Sequence, residues 1–218
     1  FHTMDHQMHS VNRMLPPDIR IVAWKPVPDT FHARFDALSR HYAYRIRFGT
    51  NPITRGFEYQ IPAFGSREAA SSNLSESASD WAARLNRLAA LLIGEHDFSG
   101  FCPPDPTIPH FRCMVFSAEW KLMDEMDSGM GPVSTLLEFR IRANRFLRHM
   151  VRRLVGTMLE AVVRTDAEEL FRNLLDTRSS NDRQPRLRVK TAPPQGLVLI
   201  KVDYPPESGE ESLDTRQG

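Results

Sequence analysis

Phe31-His32-Ala33-Arg34-Phe35-Asp36-Ala37-Leu38-Ser39-Arg40-His41-Tyr42-Ala43-Tyr44-Arg45-Ile46 gathers aromatics, two histidines and three arginines into one segment. From Arg40 on, one parity holds Arg40, Tyr42, Tyr44, Ile46 and Phe48, and the other His41, Ala43, Arg45 and Arg47. That is the period of two of a strand with unlike faces. An aromatic row beside a basic row can stack a nucleobase on one side and hold phosphates on the other. The same pattern describes a half-buried strand with arginines in solvent, because tyrosine is common in strands.

The rest of the chain bounds the choice. Its 218 residues allow one large domain or two small ones, and 41% hydrophobic with 25% charged residues is ordinary globular composition. The net charge of +1 hides an uneven distribution. Six arginines (140, 142, 145, 148, 152 and 153) and no acid lie between Phe139 and Leu159, while Glu207, Glu210, Glu211 and Asp214 crowd the tail. Two cysteines, Cys102 and Cys113, make neither a disulfide framework nor a metal spacing, so a reducing, cytoplasmic setting is expected. No apolar run reaches membrane-spanning length and no signal peptide is visible. The chain opens on Phe1-His2-Thr3 and is expected to be a piece of a longer polypeptide.

His2, Asp5, His6 and His9 share a helical face, which reads as a polar surface more readily than as a zinc site. That helix is expected to stop before Leu15-Pro16-Pro17, and Ile19 to Val27 to form a strand. Ser66 to Ser79 has loop composition, and a helix with the stripe Trp81, Leu85, Leu88 and Leu92 ends at Gly94. His96 and Asp97 read as backbone braces rather than acid-base groups. Strands are expected over Phe111 to Leu122 and Ser134 to Ala143, the latter with Leu137, Phe139 and Ile141 inward and Glu138, Arg140 and Arg142 outward. A helix from Asn144 to Val163 would place Arg145, Arg148 and Arg152 on one face. Thr165 and Glu168 have capping-box spacing ahead of a helix ending near Leu175, Arg178 to Lys190 is a basic loop, and Leu197 to Tyr204 is a last strand.

Five blocks in order resemble the tRNA pseudouridine synthase A family. They are Asn12 with Leu15-Pro16-Pro17-Asp18-Ile19; Phe31-His32-Ala33-Arg34-Phe35 with Ser39-Arg40-His41-Tyr42-Ala43-Tyr44; Gly94-Glu95-His96-Asp97-Phe98; Asn144-Arg145-Phe146-Leu147-Arg148-His149-Met150-Val151-Arg152 with Leu154-Val155-Gly156; and Ala192-Pro193 with Gly196-Leu197-Val198-Leu199 and Val202-Asp203-Tyr204-Pro205. Together they cover about residues 11 to 205.

The resemblance implies an α+β pseudouridine synthase fold, a mixed, largely antiparallel sheet flanked by helices, with its N-terminal part missing. Residues 1–30 would be a remnant of the N-terminal synthase domain, 31–205 the C-terminal synthase domain and 206–218 a disordered tail. The implied activity is isomerisation of uridines in the anticodon stem-loop of tRNA (positions 38–40) to pseudouridine. The N-glycosidic bond breaks, the uracil turns, and it rejoins through carbon five. No cofactor or metal is implied; a homodimer and tRNA are. By match, Tyr42 stacks on the target uracil, Arg152 pairs with a catalytic aspartate and Leu197 packs against the site. Arg34, Arg40, Arg145 and Arg148 are the expected RNA contacts. The family's Arg-Thr-Asp-x-Gly-Val motif does not occur in these residues, so the catalytic aspartate is expected upstream of Phe1. Arg164-Thr165-Asp166 lacks the following Gly-Val. The alternative is a non-catalytic RNA-binding protein derived from the same fold.

Overall fold

A computed structural model describes residues 2–61, 78–123, 135–175 and 188–206. The loop expected over Ser66 to Ser79 (up to residue 77), most of that expected over Arg178 to Lys190, residues 124–134 between the two expected strands, and the tail beyond residue 206 lie outside the described residues. The chain divides into two compact units, Phe1–Asp36 and Ala37–Gly218.

The first unit carries helix α1 (His2–Met14) and an irregular segment. The strand expected over Ile19 to Val27 does not form. Pro16, Pro17, Pro26 and Pro28 crowd the stretch and remove ladder donors. At Ile21 the Asn12 side chain takes the place of a neighbouring strand, with Nδ2 donating to the Ile21 carbonyl and Oδ1 accepting from its N–H, both at 2.8 Å. In the same unit Asp36 accepts from the His32 N–H at 2.7 Å, and the exposed Arg34 guanidinium lies 5.7 Å from the Phe35 ring centre.

The second unit is built on one six-stranded sheet. Its strands are β1 (Ser39–Phe48), β2 (Tyr59–Ile61), β3 (Gly94–Asp97), β4 (Arg112–Met123), β5 (Thr135–Ala143) and β6 (Leu197–Asp203). The order is β2-β1-β5-β4-β3, with β6 also paired to β1. Only β1 and β2 run parallel, so the sheet is mixed and largely antiparallel as expected. Along one flank β1 meets β6 over Ser39 to Tyr44 and β2 over Ile46 to Phe48. Helices α2 (Ala78–Ala90), α3 (Met150–Ala161) and α4 (Ala167–Leu175) complete the unit.

The two parities of β1 behave as read. Tyr44, Ile46 and Phe48 join Leu137, Phe139 and Ile141 of β5 in a core with Leu85 and Leu88 of α2, Met150, Leu154 and Met158 of α3, and Phe171 of α4. Burying such side chains stabilises by about 2 kcal/mol each, which is what holds helices to this face. The other parity faces an ionic layer. Glu138, expected outward, is on that face yet 1% exposed, because Arg45 and Arg140 close over it with Nε donors at 2.8 and 2.6 Å. Burial opposes its charge, but those two hydrogen bonds outweigh it and hold the carboxyl below the ordinary glutamate range. Arg47 grips Glu58 through two donors at 2.5 and 2.9 Å, and Thr54 adds a third bond at 2.7 Å, fixing the turn that leads into β2.

Two short strands escaped the sequence reading. β2 and β3 have three and four residues, too few to display a period. Within the second, His96 Nε2 faces the Ile93 carbonyl at 3.1 Å and Asp97 accepts from the Ser99 N–H at 2.8 Å, the bracing expected of them. The capping box is replaced by other pairs: Glu168 accepts from Arg87 at 3.0 Å, and Asp166 takes both donors of Arg164 at 2.9 and 3.1 Å.

Candidate active site

The helix expected from Asn144 begins six residues later, at Met150. Asn144 is the cause. Its N–H donates to the Met114 carbonyl at 3.0 Å, its Oδ1 accepts from the Met114 N–H at 2.9 Å, and its carbonyl accepts from Arg40 at 2.7 Å. All these groups are committed outside a helix, so 144–149 runs as a loop across the sheet end. Arg145 and Arg148 therefore project from a loop, and the shared helical face expected of Arg145, Arg148 and Arg152 does not exist. Arg40 serves as this loop's anchor, donating also to Ala37 O at 2.9 Å.

Tyr42 lies on the core-facing parity of β1 at the end where burial fades, half exposed. Its ring meets Phe146 of the loop edge to face, with centres 5.0 Å apart. Two β-bulges lie at this end: β6 slips register opposite His41 and Tyr42, and β4 slips between Val115 and Ser117. Bulges re-aim side chains and are frequent beside functional sites. Leu197 opens β6 opposite Tyr44 and is half-buried.

Arg152 joins these residues through the segment Lys190 to Gly196. Its Nε donates to the Ala192 carbonyl at 2.7 Å, and the Ala192 N–H returns a bond to the Arg152 carbonyl at 3.0 Å. One residue on, the Pro193 carbonyl accepts from the buried Tyr44 hydroxyl at 2.7 Å. Burial, chiefly, pushes the Tyr44 phenol far above its ordinary range; Arg152 is near enough to oppose this. Two glycines let the segment lie this close. A Cβ on Gly156 would come within 2.5 Å of the Lys190 carbonyl oxygen, and one on Gly196 within 2.8 Å of the Tyr44 ring. Tyr42, Arg152 and Leu197 are thus tied to one scaffold, of which Tyr44, Gly156, Ala192 and Gly196 are working parts that stand in the quoted sequence blocks without a role assigned to them there. Gly156 inside an amphipathic helix was the available signal.

The electrostatics divide the arginines. Arg45, Arg47, Arg87, Arg112, Arg140, Arg142 and Arg164 all face carboxylates. Among the described residues no carboxylate forms an ion pair with Arg145, Arg148, Arg152 or Arg153. Beyond β1, Asp203 gathers Ser39, His41 at 2.7 Å and Lys201 at 3.0 Å, and these hydrogen bonds hold its carboxyl far below the ordinary range. Within the described residues no cluster of histidine, cysteine and acidic side chains could hold a metal ion, and no helix is long and apolar enough to cross a membrane.

A family model described as tRNA pseudouridine synthase matches residues 88–205. The chain is 39% identical over 197 residues to tRNA pseudouridine synthase A of Chlorobaculum tepidum, covering 90% of this chain and 68% of the relative. Against the protein of that name from Bacteroides thetaiotaomicron it is 33% identical, covering 89% and 62%. Against that of Bacillus pumilus it is 31% identical, covering 92% and 70%. The chain thus spans about two thirds of the length of these relatives.

Proposed function

Because the chain belongs to the tRNA pseudouridine synthase family, a family of isomerases, we propose that it forms the uracil-stacking and arginine half of an active site for uridines in the anticodon stem-loop, positions 38–40. The observation that carries this reading is Arg152: a half-buried arginine, oriented by Ala192, that pairs with no carboxylate among the described residues. A guanidinium so placed keeps a docked aspartate ionised and aimed. In this reading the aspartate comes from an Arg-Thr-Asp-x-Gly-Val motif outside these 218 residues. The exposed side of the Tyr42 ring stacks on the uracil and keeps the detached base in plane while it turns. Leu197 narrows water access to the intermediate. Arg145 and Arg148 are placed on phosphates, and Arg34 is an RNA contact from the first unit. Arg40, bound to two backbone carbonyls, shapes the loop they stand on. The enzyme acts in the cytoplasm as a homodimer.

The test uses unmodified tRNA and chemical detection of pseudouridine. The 218-residue chain alone is expected to bind tRNA without turnover. A polypeptide joining it to a motif-bearing segment is expected to form pseudouridine at positions 38–40, and Arg152→Ala in that polypeptide to abolish turnover while binding persists. Pseudouridine made by the chain alone would refute the placement of the aspartate. Binding without turnover in the joined polypeptide would leave the RNA-binding reading in place of the enzyme.

A further inference from the structure

His149 has the only positive φ of any non-glycine among the described residues, 61° with ψ 1°. It precedes α3 in the N-cap position, where an extended backbone and a short side chain that caps the helix are the rule. His149 offers neither: its backbone is left-handed and its side chain makes no cap bond. Helix capping therefore does not explain the residue. Its carbonyl starts the helix, accepting from Arg153 N at 2.9 Å, which pins the backbone in place. The side chain goes elsewhere, with Nδ1 3.3 Å from Arg152 Nη1.

An arginine nitrogen can only donate, so Nδ1 must accept, and His149 is the neutral tautomer with its proton on Nε2. Partial burial, followed by the charges of Arg152, Arg148 and Arg153, pushes its pKa below 6.5, in keeping with that assignment. The Arg152 guanidinium is then held on two sides, Nε by Ala192 O and Nη1 by His149 Nδ1. Two acceptors fix the plane of a flat group. Nη2 makes no hydrogen bond among the described residues.

We propose that His149 is a positioning residue, whose left-handed backbone exists to bring an uncharged acceptor to Arg152 and leave the outer guanidinium edge for the catalytic carboxylate. This rests on the synthase reading for its consequence in catalysis, but not for its geometry, and the experiment separates the two.

Two substitutions discriminate. Glycine adopts φ 61° without steric strain and removes the acceptor, and relief of that strain offsets its larger loss of chain entropy, so His149→Gly is expected to fold. Asparagine tolerates the left-handed region and places Oδ1 near the position of Nδ1, so His149→Asn keeps both features. In the 218-residue chain labelled with nitrogen-15, Arg152 is expected to show restricted guanidinium rotation, with separate Nη signals assigned by their loss in Arg152→Lys. Those signals should merge in His149→Gly and stay separate in His149→Asn. In the joined polypeptide, His149→Gly should lower kcat by roughly 10- to 100-fold with KM nearly unchanged, while His149→Asn stays within about threefold of the parent. Separate Nη signals in His149→Gly would overturn the proposal, whatever the activity. So would merged signals accompanied by full turnover. A parent polypeptide that makes no pseudouridine, with the signals behaving as expected, would sink the synthase reading and leave the positioning intact.

Discussion

Gly156→Ala tests the scaffold where it is tightest. In an exposed helix interior this exchange stabilises by about 1 kcal/mol, because alanine has less backbone entropy to lose. Here the new Cβ would meet the Lys190 carbonyl oxygen at 2.5 Å and Ala192 N at 2.9 Å. Both are backbone atoms, and the second belongs to the residue that exchanges two hydrogen bonds with Arg152. No side chain can rotate away, so Lys190 to Ala192 must move off α3. Overpacking of this kind costs about 1–3 kcal/mol, and a backbone obstruction belongs at the upper end. Set against the propensity gain, the net is a loss of about 2 kcal/mol. For a chain of this length that is a fall of roughly 4–8 °C in melting temperature, measured by thermal circular dichroism and checked by urea unfolding. A melting temperature equal to or above that of the parent would refute the claim that α3 and the 190–192 segment are locked together at Gly156.

Three further outcomes follow from the same structure. Tyr44→Phe removes the hydroxyl that serves the Pro193 carbonyl and should cost about 1–3 kcal/mol in urea unfolding, whereas Tyr42→Phe should change stability by under ~0.5 kcal/mol, its hydroxyl having no protein partner among the described residues. Glu138 has its folded pKa lowered, so its stabilisation is present above the ordinary value of 4.5 and is lost as pH falls through the folded value; the parent should lose stability below about pH 4.5 more steeply than Glu138→Gln, in parallel acid titrations followed by fluorescence. Arg148→Ala should weaken tRNA binding and reduce the slope of log affinity against log salt by about one, while leaving thermal stability unchanged.

The face assignment of β1 was legible because ten residues are enough to show a period of two, which Tyr44 to Phe48 keep strictly, while Ala43 is a buried member of the basic row. The fate of 144–149 was not. Phe146, Met150 and Leu154 do fall at helical spacing, but Asn144 binds Met114 across the sheet and Arg40 takes its carbonyl, and neither partner is near it in sequence. Tertiary hydrogen bonds overrode the local pattern. The outward position of Glu138 was read correctly from alternation, but not its burial, because alternation is blind to arginines on neighbouring positions folding over a carboxylate. Tyr42, Arg152 and Leu197 could be named only through resemblance, since their common ground is a run of backbone carbonyls, Ala192 and Pro193, that leaves no mark on composition. His149 was hidden for a simpler reason: a left-handed residue looks like any other in a sequence.

The pairing of β1 with β6 sets a timetable for synthesis. Tyr44 and Pro193 are 149 residues apart, and Ser39 and Asp203 are 164 apart. On the ribosome β5 can zip onto one flank of β1 once Thr135 to Ala143 has been made. The other flank, from Ser39 to Tyr44, stays an open edge until Leu197 to Asp203 has been made. Such edges recruit strands from neighbouring chains, so crowded polysomes are where this protein is most exposed to misassembly. The carbonyls that engage Arg152 and Tyr44 arrive just ahead of β6, at Ala192 and Pro193. A nascent chain that stalls before Ala192 therefore holds five of the six strands but lacks the carbonyls that engage Arg152 and Tyr44.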